Sequence, residues 1–187
     1  MALVLDGSAN TIAGLAAGGI SNSKAIAAAA MPAGSIIQVQ KSADYTTQTD
    51  YTSGQESAGP TVDITLTYNT SLVYVTGFLS HGETAGDLHI YMYRDSTKIG
   101  IGSAVGSATR SMGAGSTGRQ QYDVQTTHFT YVDNPYGGSG TPAAITYKLT
   151  GQSTNGTFSI NKHDASNENS ANDNSCISYI VAMEVKQ

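Results

Sequence analysis

From about residue 60 onward, apolar side chains alternate with polar ones at the two-residue period of a β-strand. In "TVDITLTY", Val62, Ile64 and Leu66 fall on one face and Asp63, Thr65 and Thr67 on the other. "DLHIYMYR" sets Leu88, Ile90 and Met92 against His89, Tyr91 and Tyr93, as a half-buried antiparallel strand requires. "SLVYVTGFL", Lys98 to Ser103, Tyr122 to Val132, Ala144 to Thr150, Thr157 to Asn161 and Cys176 to Lys186 complete the set. In the last of these, Ile177, Tyr179, Val181, Met183 and Val185 share a face. Turn-forming clusters separate the runs: "SHGETAGD", "GAGSTG", "DNPYGGSGTP", "GQSTNG" and "HDASNENSANDNS". About eight short strands with hardly any helical period predict an all-β chain, folded as a jelly-roll β-sandwich.

The segment ahead of these strands follows neither period. In "LVLDGSANTIAGLAAGGISNSKAIAAAAMPAGSIIQVQ", Leu3, Leu5, Ile12, Leu15, Ile20 and Ile26 are scattered among Gly, Ala, Ser and Asn. "SKAIAAAAM" could make two helical turns with Ser23 as N-cap, and a strand-like "SIIQVQ" follows the break at Pro32-Ala33-Gly34. So few large aliphatics, so placed, cannot bury one another. A flexible linker seldom carries this many, so the segment reads as an extended arm that packs on other copies of itself or on a partner. The expected organisation is therefore an attachment and oligomerisation arm at 1–40, a connector at 41–59 that joins the sandwich or runs along its edge, and a β-sandwich at 60–187.

Composition narrows the partners. Only 12% of the 187 residues are charged, 9 Lys and Arg stand against 14 Asp and Glu, and no basic run occurs, which argues against nucleic acid and anionic membranes. No apolar stretch approaches the roughly 18 residues of a membrane span, and the N-terminus lacks the basic segment of a signal peptide, so membrane insertion and secretion are not expected. The single Cys176 cannot form an intrachain disulfide and reads as a small core residue rather than a reactive thiol. Stability must come from burial or from neighbouring subunits.

With these residues in hand, a resemblance emerges. "LVLDGSANTIAGL" resembles the LDGS-x-N-T-I cassette of tailed-bacteriophage virion proteins, particularly tail-fibre-like ones, through Leu5, Asp6, Gly7, Ser8, Asn10, Thr11, Ile12, Gly14 and Leu15. "TYVDNPYGGSGTPAAITYKL" is similar to a stretch in the end domains of such proteins, matching at Asp133, Pro135, Thr146 and Tyr147, and Glu184 and Val185 match their closing strand. The resemblance implies a homotrimer of tumour-necrosis-factor-like jelly rolls, assembled in the host bacterial cytoplasm and resident in the virion. Its other partners would be tail or capsid proteins and a host surface glycan. Typical fibres carry a long shaft, which this chain lacks. The alternatives are therefore a stubby tail-fibre-like appendage, a fibre tip mounted on another protein, and a capsid decoration protein at threefold positions.

Candidate chemistry is sparse. "GAGSTG" matches a dinucleotide fingerprint but is followed by strand-like "RQQYDVQTTHFTYV" instead of a helix, and "GGSG" lacks the context of a nucleophile elbow. The four histidines, His81, His89, His128 and His163, lack local metal-ligand spacing. No catalytic residue, cofactor or metal is expected. The eleven tyrosines mostly lie in strand patterns as core or subunit-interface residues, leaving the loops around Tyr136 and Asn167 as candidate receptor-facing surface.

Overall fold

The structure is a computed structural model that describes residues 5–6, 11–12, 28–83, 88–114, 124–163 and 175–187. Two short strands, β1 (Leu5–Asp6) and β2 (Thr11–Ile12), pair with each other in a two-stranded sheet. The sandwich is built from β3 (Ile36–Lys41), β4 (Thr49–Tyr51), β5 (Thr61–Thr65), β6 (Leu72–Glu83), β7 (Leu88–Arg94), β8 (Thr97–Ile99), β9 (Gly113–Ala114), β10 (Gln125–Asp133), β11 (Ala144–Ser153), β12 (Phe158–Ile160) and β13 (Tyr179–Val185). Ala28–Ala30, within the predicted short helix, make a single tight helical turn.

In the first sheet the long β6 has β10 on one side; on the other it pairs with β13 near its start and β12 near its end, with β3 and β4 outermost. The second sheet runs β5-β11-β7-β8, with β9 also on β7. The pairs β3·β13, β4·β12, β5·β11, β6·β10 and β7·β8 follow one another along one long antiparallel ribbon. The first two lie in the first sheet and the rest alternate between the two sheets, as in a hairpin wound around itself into a jelly roll. Each predicted run contains a strand, although of Lys98 to Ser103 only Lys98 and Ile99 belong to β8, which ends at the positive-φ Gly100.

The sandwich begins earlier in the chain than residue 60. β3, at the end of the expected arm, is hydrogen-bonded along β13, and β4, inside the expected connector, is hydrogen-bonded to β12. Between them Tyr45 bridges Ser178, so the 41–59 segment does run along the sheet edge. The low patterning of these residues reflects that position: an edge strand has one neighbour and little core to face.

Between the sheets lie the predicted inward faces of β5 and β7, with Val62, Ile64, Leu66, Leu88, Ile90 and Met92 all buried. Opposite them, Val73, Val75 and Leu79 of β6 are fully buried. Each such side chain stabilises the fold by about 1.5–3 kcal/mol through apolar burial. Gly77 sits where β6 meets Tyr179 and Ile180, so close that a Cβ there would collide with the β13 backbone. A polar tie also joins the layers: Arg94 of β7 donates to both carboxylate oxygens of Asp133 on β10, at 3.0 and 3.1 Å, and the Tyr147 hydroxyl of β11 donates to the same carboxylate at 2.8 Å. Burial, followed by the nearby carboxylate, raises the Tyr147 pKa and keeps its phenol protonated as the donor.

His81, on β6, is fully buried; its Nε2 lies 2.9 Å from the Thr127 hydroxyl, and its Nδ1 has no hydrogen-bond partner among the described residues. Burial lowers its pKa from 6.5 to about 4. The unfolded chain therefore takes up this proton near pH 6.5 and the folded chain only near pH 4, so stability fully present above the first value is lost as the pH falls toward the second. At 1.36 kcal/mol per unit the loss is about 3 kcal/mol. Urea denaturation between pH 7 and pH 4 should show that decline, and His81→Gln should flatten it.

Candidate functional site

The closing strand β13 reverses the usual pattern. Its inward positions hold Ser178 just ahead of the strand, then Ile180, Ala182 and Glu184, all fully buried. The face shared by Tyr179, Val181, Met183 and Val185 points outward and is half-buried. Strand register extends this face across the sheet. Ile36, Val185 and Leu72 form one cross-strand row, and Val39, Met183, Tyr74 and Val132 form the next. Further along, Tyr179, Phe78 and His128 line up, with the Tyr179 and Phe78 rings edge to face at 4.4 Å and the His128 ring 5.4 Å from Phe78.

Of the five large hydrophobics that are exposed among the described residues, Ile36, Val39 and Val132 lie in these rows and Ile177 lies two residues ahead of β13. The fifth, Val105, is in a distant loop. In this face the charged side chain is Lys41, at a corner, where it pairs with Asp44 and lies 5.3 Å from the Tyr179 ring centroid. The outer face of the second sheet differs. There Lys98 stands 3.4 Å over the Tyr91 ring and 3.6 Å from Glu56, beside Lys148, Asp63 and the Tyr93 hydroxyl that donates to Glu56 at 2.8 Å.

Glu184 fixes the orientation of β13. Its carboxylate accepts the Thr67 and Tyr68 amides at 2.8 and 3.1 Å, the Thr67 hydroxyl at 3.0 Å and the Gln38 amide at 2.7 Å. Burial pushes its pKa up, but the hydrogen bonds from Gln38, Thr67 and Tyr68 outweigh it and hold the carboxyl below its usual range. Gln38 also donates to the Thr65 carbonyl at 2.7 Å, so one cluster joins β3, β13 and the turn from β5 to β6.

At this end of the sandwich the N-terminal segment also enters. Lys186 donates from Nζ to the Ala28 and Met31 carbonyls at 3.3 and 2.6 Å, and its backbone carbonyl accepts the Gly34 amide at 2.8 Å. The Tyr136 loop lies here too: Gly138 donates to the Asn69 carbonyl at 3.1 Å and Asn69 to the Gly140 carbonyl at 2.9 Å. The half-buried Tyr136 ring packs on the core, and its hydroxyl bonds both the amide and the carbonyl of Ala143, at 2.6 and 3.0 Å. Gly137, Gly138 and Gly140 take the positive φ values that close this loop.

Of the arm residues, Leu5 and Ile12 are brought together as paired positions of β1 and β2, whereas Leu3, Leu15, Ile20 and Ile26 lie outside the described residues. Asn167 also lies outside them; its segment is flanked by the Lys162–Ser175 bridge, beside the end of β6 remote from Tyr136. Cys176 is half-buried ahead of β13, its amide donating to the Asn161 carbonyl at 2.9 Å, instead of sitting in the core. Sequence reading missed Ile36 and Val39 as surface residues because "SIIQVQ" fell to the arm. The available signal was β13 itself, in which both parities carry apolar residues.

No protein family and no curated protein matches the chain. Among solved structures it is similar to a chain of infectious bursal disease virus, Gx strain, at 14% identity and a TM-score of 0.38, over 80% of this chain and 36% of that one. The jelly-roll assignment rests on strand order and not on this likeness.

Replacing Glu184 by Ala leaves the Thr67 and Tyr68 amides without their acceptor, and should cost about 2–4 kcal/mol in urea unfolding at pH 7.

Proposed function

We propose that this chain is a structural subunit of a bacteriophage virion, a homotrimeric tail-fibre-like appendage with no catalytic role. Residues ahead of Ala28 dock on the virion and the opposite end of the sandwich faces the host surface. The observation that carries this reading is the outward apolar face of β13 and its neighbours, a surface that suits an assembly subunit better than a free monomer. The cassette at Leu5 to Leu15 supports the choice of virion, by resemblance.

The polarity of the sandwich adds a constraint. Lys186 ties the N-terminal segment to the end that carries Tyr136, so a chain mounted by that segment holds Tyr136 near the virion and turns the flanks of the Asn167 segment outward. Host contact, including any surface glycan, is then assigned to the Asn167 end. Capsid decoration is the second reading, favoured by the direct passage from arm to sandwich without a shaft; there the same arm cements neighbouring capsomers.

Truncation tests the arm in either setting. Because β3 begins at Ile36, the deletion must stop ahead of Ala28. A chain lacking residues 1–27 should keep the full-length far-UV circular dichroism spectrum and melting temperature, yet be missing from particles assembled in its presence. Incorporation at the full-length level would rule out docking through the arm.

A further inference from the structure

We infer that the outer face of β3, β13, β6 and β10 is where copies of this chain pack against one another; this rests on the homotrimer reading and assigns its contact surface. Three observations point to a second copy as the occupant. First, the face carries apolar rows on both sides of an uncharged Val181–Thr76–Thr130 row, with Lys41 already paired at its corner, so it calls for a surface without charge. Among the described residues the other broad face, on the second sheet, carries Lys98, Lys148, Asp63 and Glu56 and is no match. Around a threefold axis, three copies of this face converge and one half of each meets the other half of the next, so every copy offers its neighbour an uncharged apolar surface.

Second, the size is appropriate. Four strands at about 4.8 Å spacing and a seven-residue β13 at about 3.4 Å per residue give a footprint on the order of 450 Å². That is more than half of the roughly 800 Å² per partner in a standard interface, before side-chain relief is counted. Third, the chain keeps a buried carboxylate inside β13 while its large aliphatics face out. A monomer gains nothing from Val39, Val132 and Ile36 standing more than half exposed, whereas covering them removes apolar surface from water in every subunit at once.

Val39→Lys and Val132→Lys test the assignment, because both side chains already point to solvent in the isolated chain and tolerate a charge without refolding. Val105→Lys makes the same change at the exposed hydrophobic away from the face. Circular dichroism and melting of each purified variant confirm the fold, and sedimentation velocity over a dilution series reads association. The expected result is a wild-type trimer, roughly 100-fold weaker self-association for Val39→Lys and Val132→Lys, and none of this loss for Val105→Lys. A trimer unaffected by either face variant would overturn the assigned face and leave the homotrimer standing. A wild-type dimer dispersed by the face variants would support the face and overturn the trimer. A wild-type monomer at every concentration would overturn both.

Discussion

The structure turns on the two-sided position of β13. This strand lies between β3 and β6, so its register with both is fixed by backbone hydrogen bonds, and a side-chain period of two then decides which residues face the second sheet. Glu184 settles the matter. The Thr67 and Tyr68 amides at the turn from β5 into β6 need an acceptor, and the carboxylate supplies it from the inner face. Slipping β13 by one residue would bury Met183 and Val181, but would strand those amides and push Ile180, Ala182 and the carboxylate to the other side. The outward apolar face is thus the consequence of an inward polar demand.

The same logic ties the chain's ends together. Among the described residues β3 pairs only with β13, and Gln38 reaches from β3 to Glu184 and on to Thr65, so the first strand of the sandwich is held by the last. Lys186 then fastens the turn at Ala28 to Met31. Any pull on the N-terminal segment is delivered to β13, the strand at the centre of the proposed contact face. Attachment and self-association would therefore share one structural element. Further across the sandwich, Asp133 and Tyr147, both in the motif "TYVDNPYGGSGTPAAITYKL", meet in one hydrogen bond between the sheets. Their place in the motif has a physical reason independent of any receptor.

Much of this fold was legible in the residues. Strict alternation in "TVDITLTY" and "DLHIYMYR" names the buried face correctly because each of those strands has one apolar parity. β13 defeats the same reading: Ile180 and Ala182 make its second parity apolar as well, and only the distant Thr67 and Tyr68 amides show why Glu184 belongs inside. β4 was hidden for another reason, since an edge strand faces little core and bears a weak pattern, while β3 was legible as the strand-like "SIIQVQ" but not as part of the sandwich. Tyr136 in "DNPYGGSGTP" reads from sequence as candidate receptor-facing surface, but its ring and hydroxyl close the loop from within, a role that depends on Ala143 lying across the turn.

Whether the β13 face is covered in the native protein can be read from oxidation of its methionine. Met183 and Met112 are both half-buried in the isolated chain, one on the proposed contact face and one packed against the core elsewhere. In hydroxyl-radical footprinting of the full-length protein, a covered face makes Met183 react much more slowly than Met112 at high concentration and recover as dilution separates the subunits. Equal reactivity of the two at all concentrations would show that the face stands open to water.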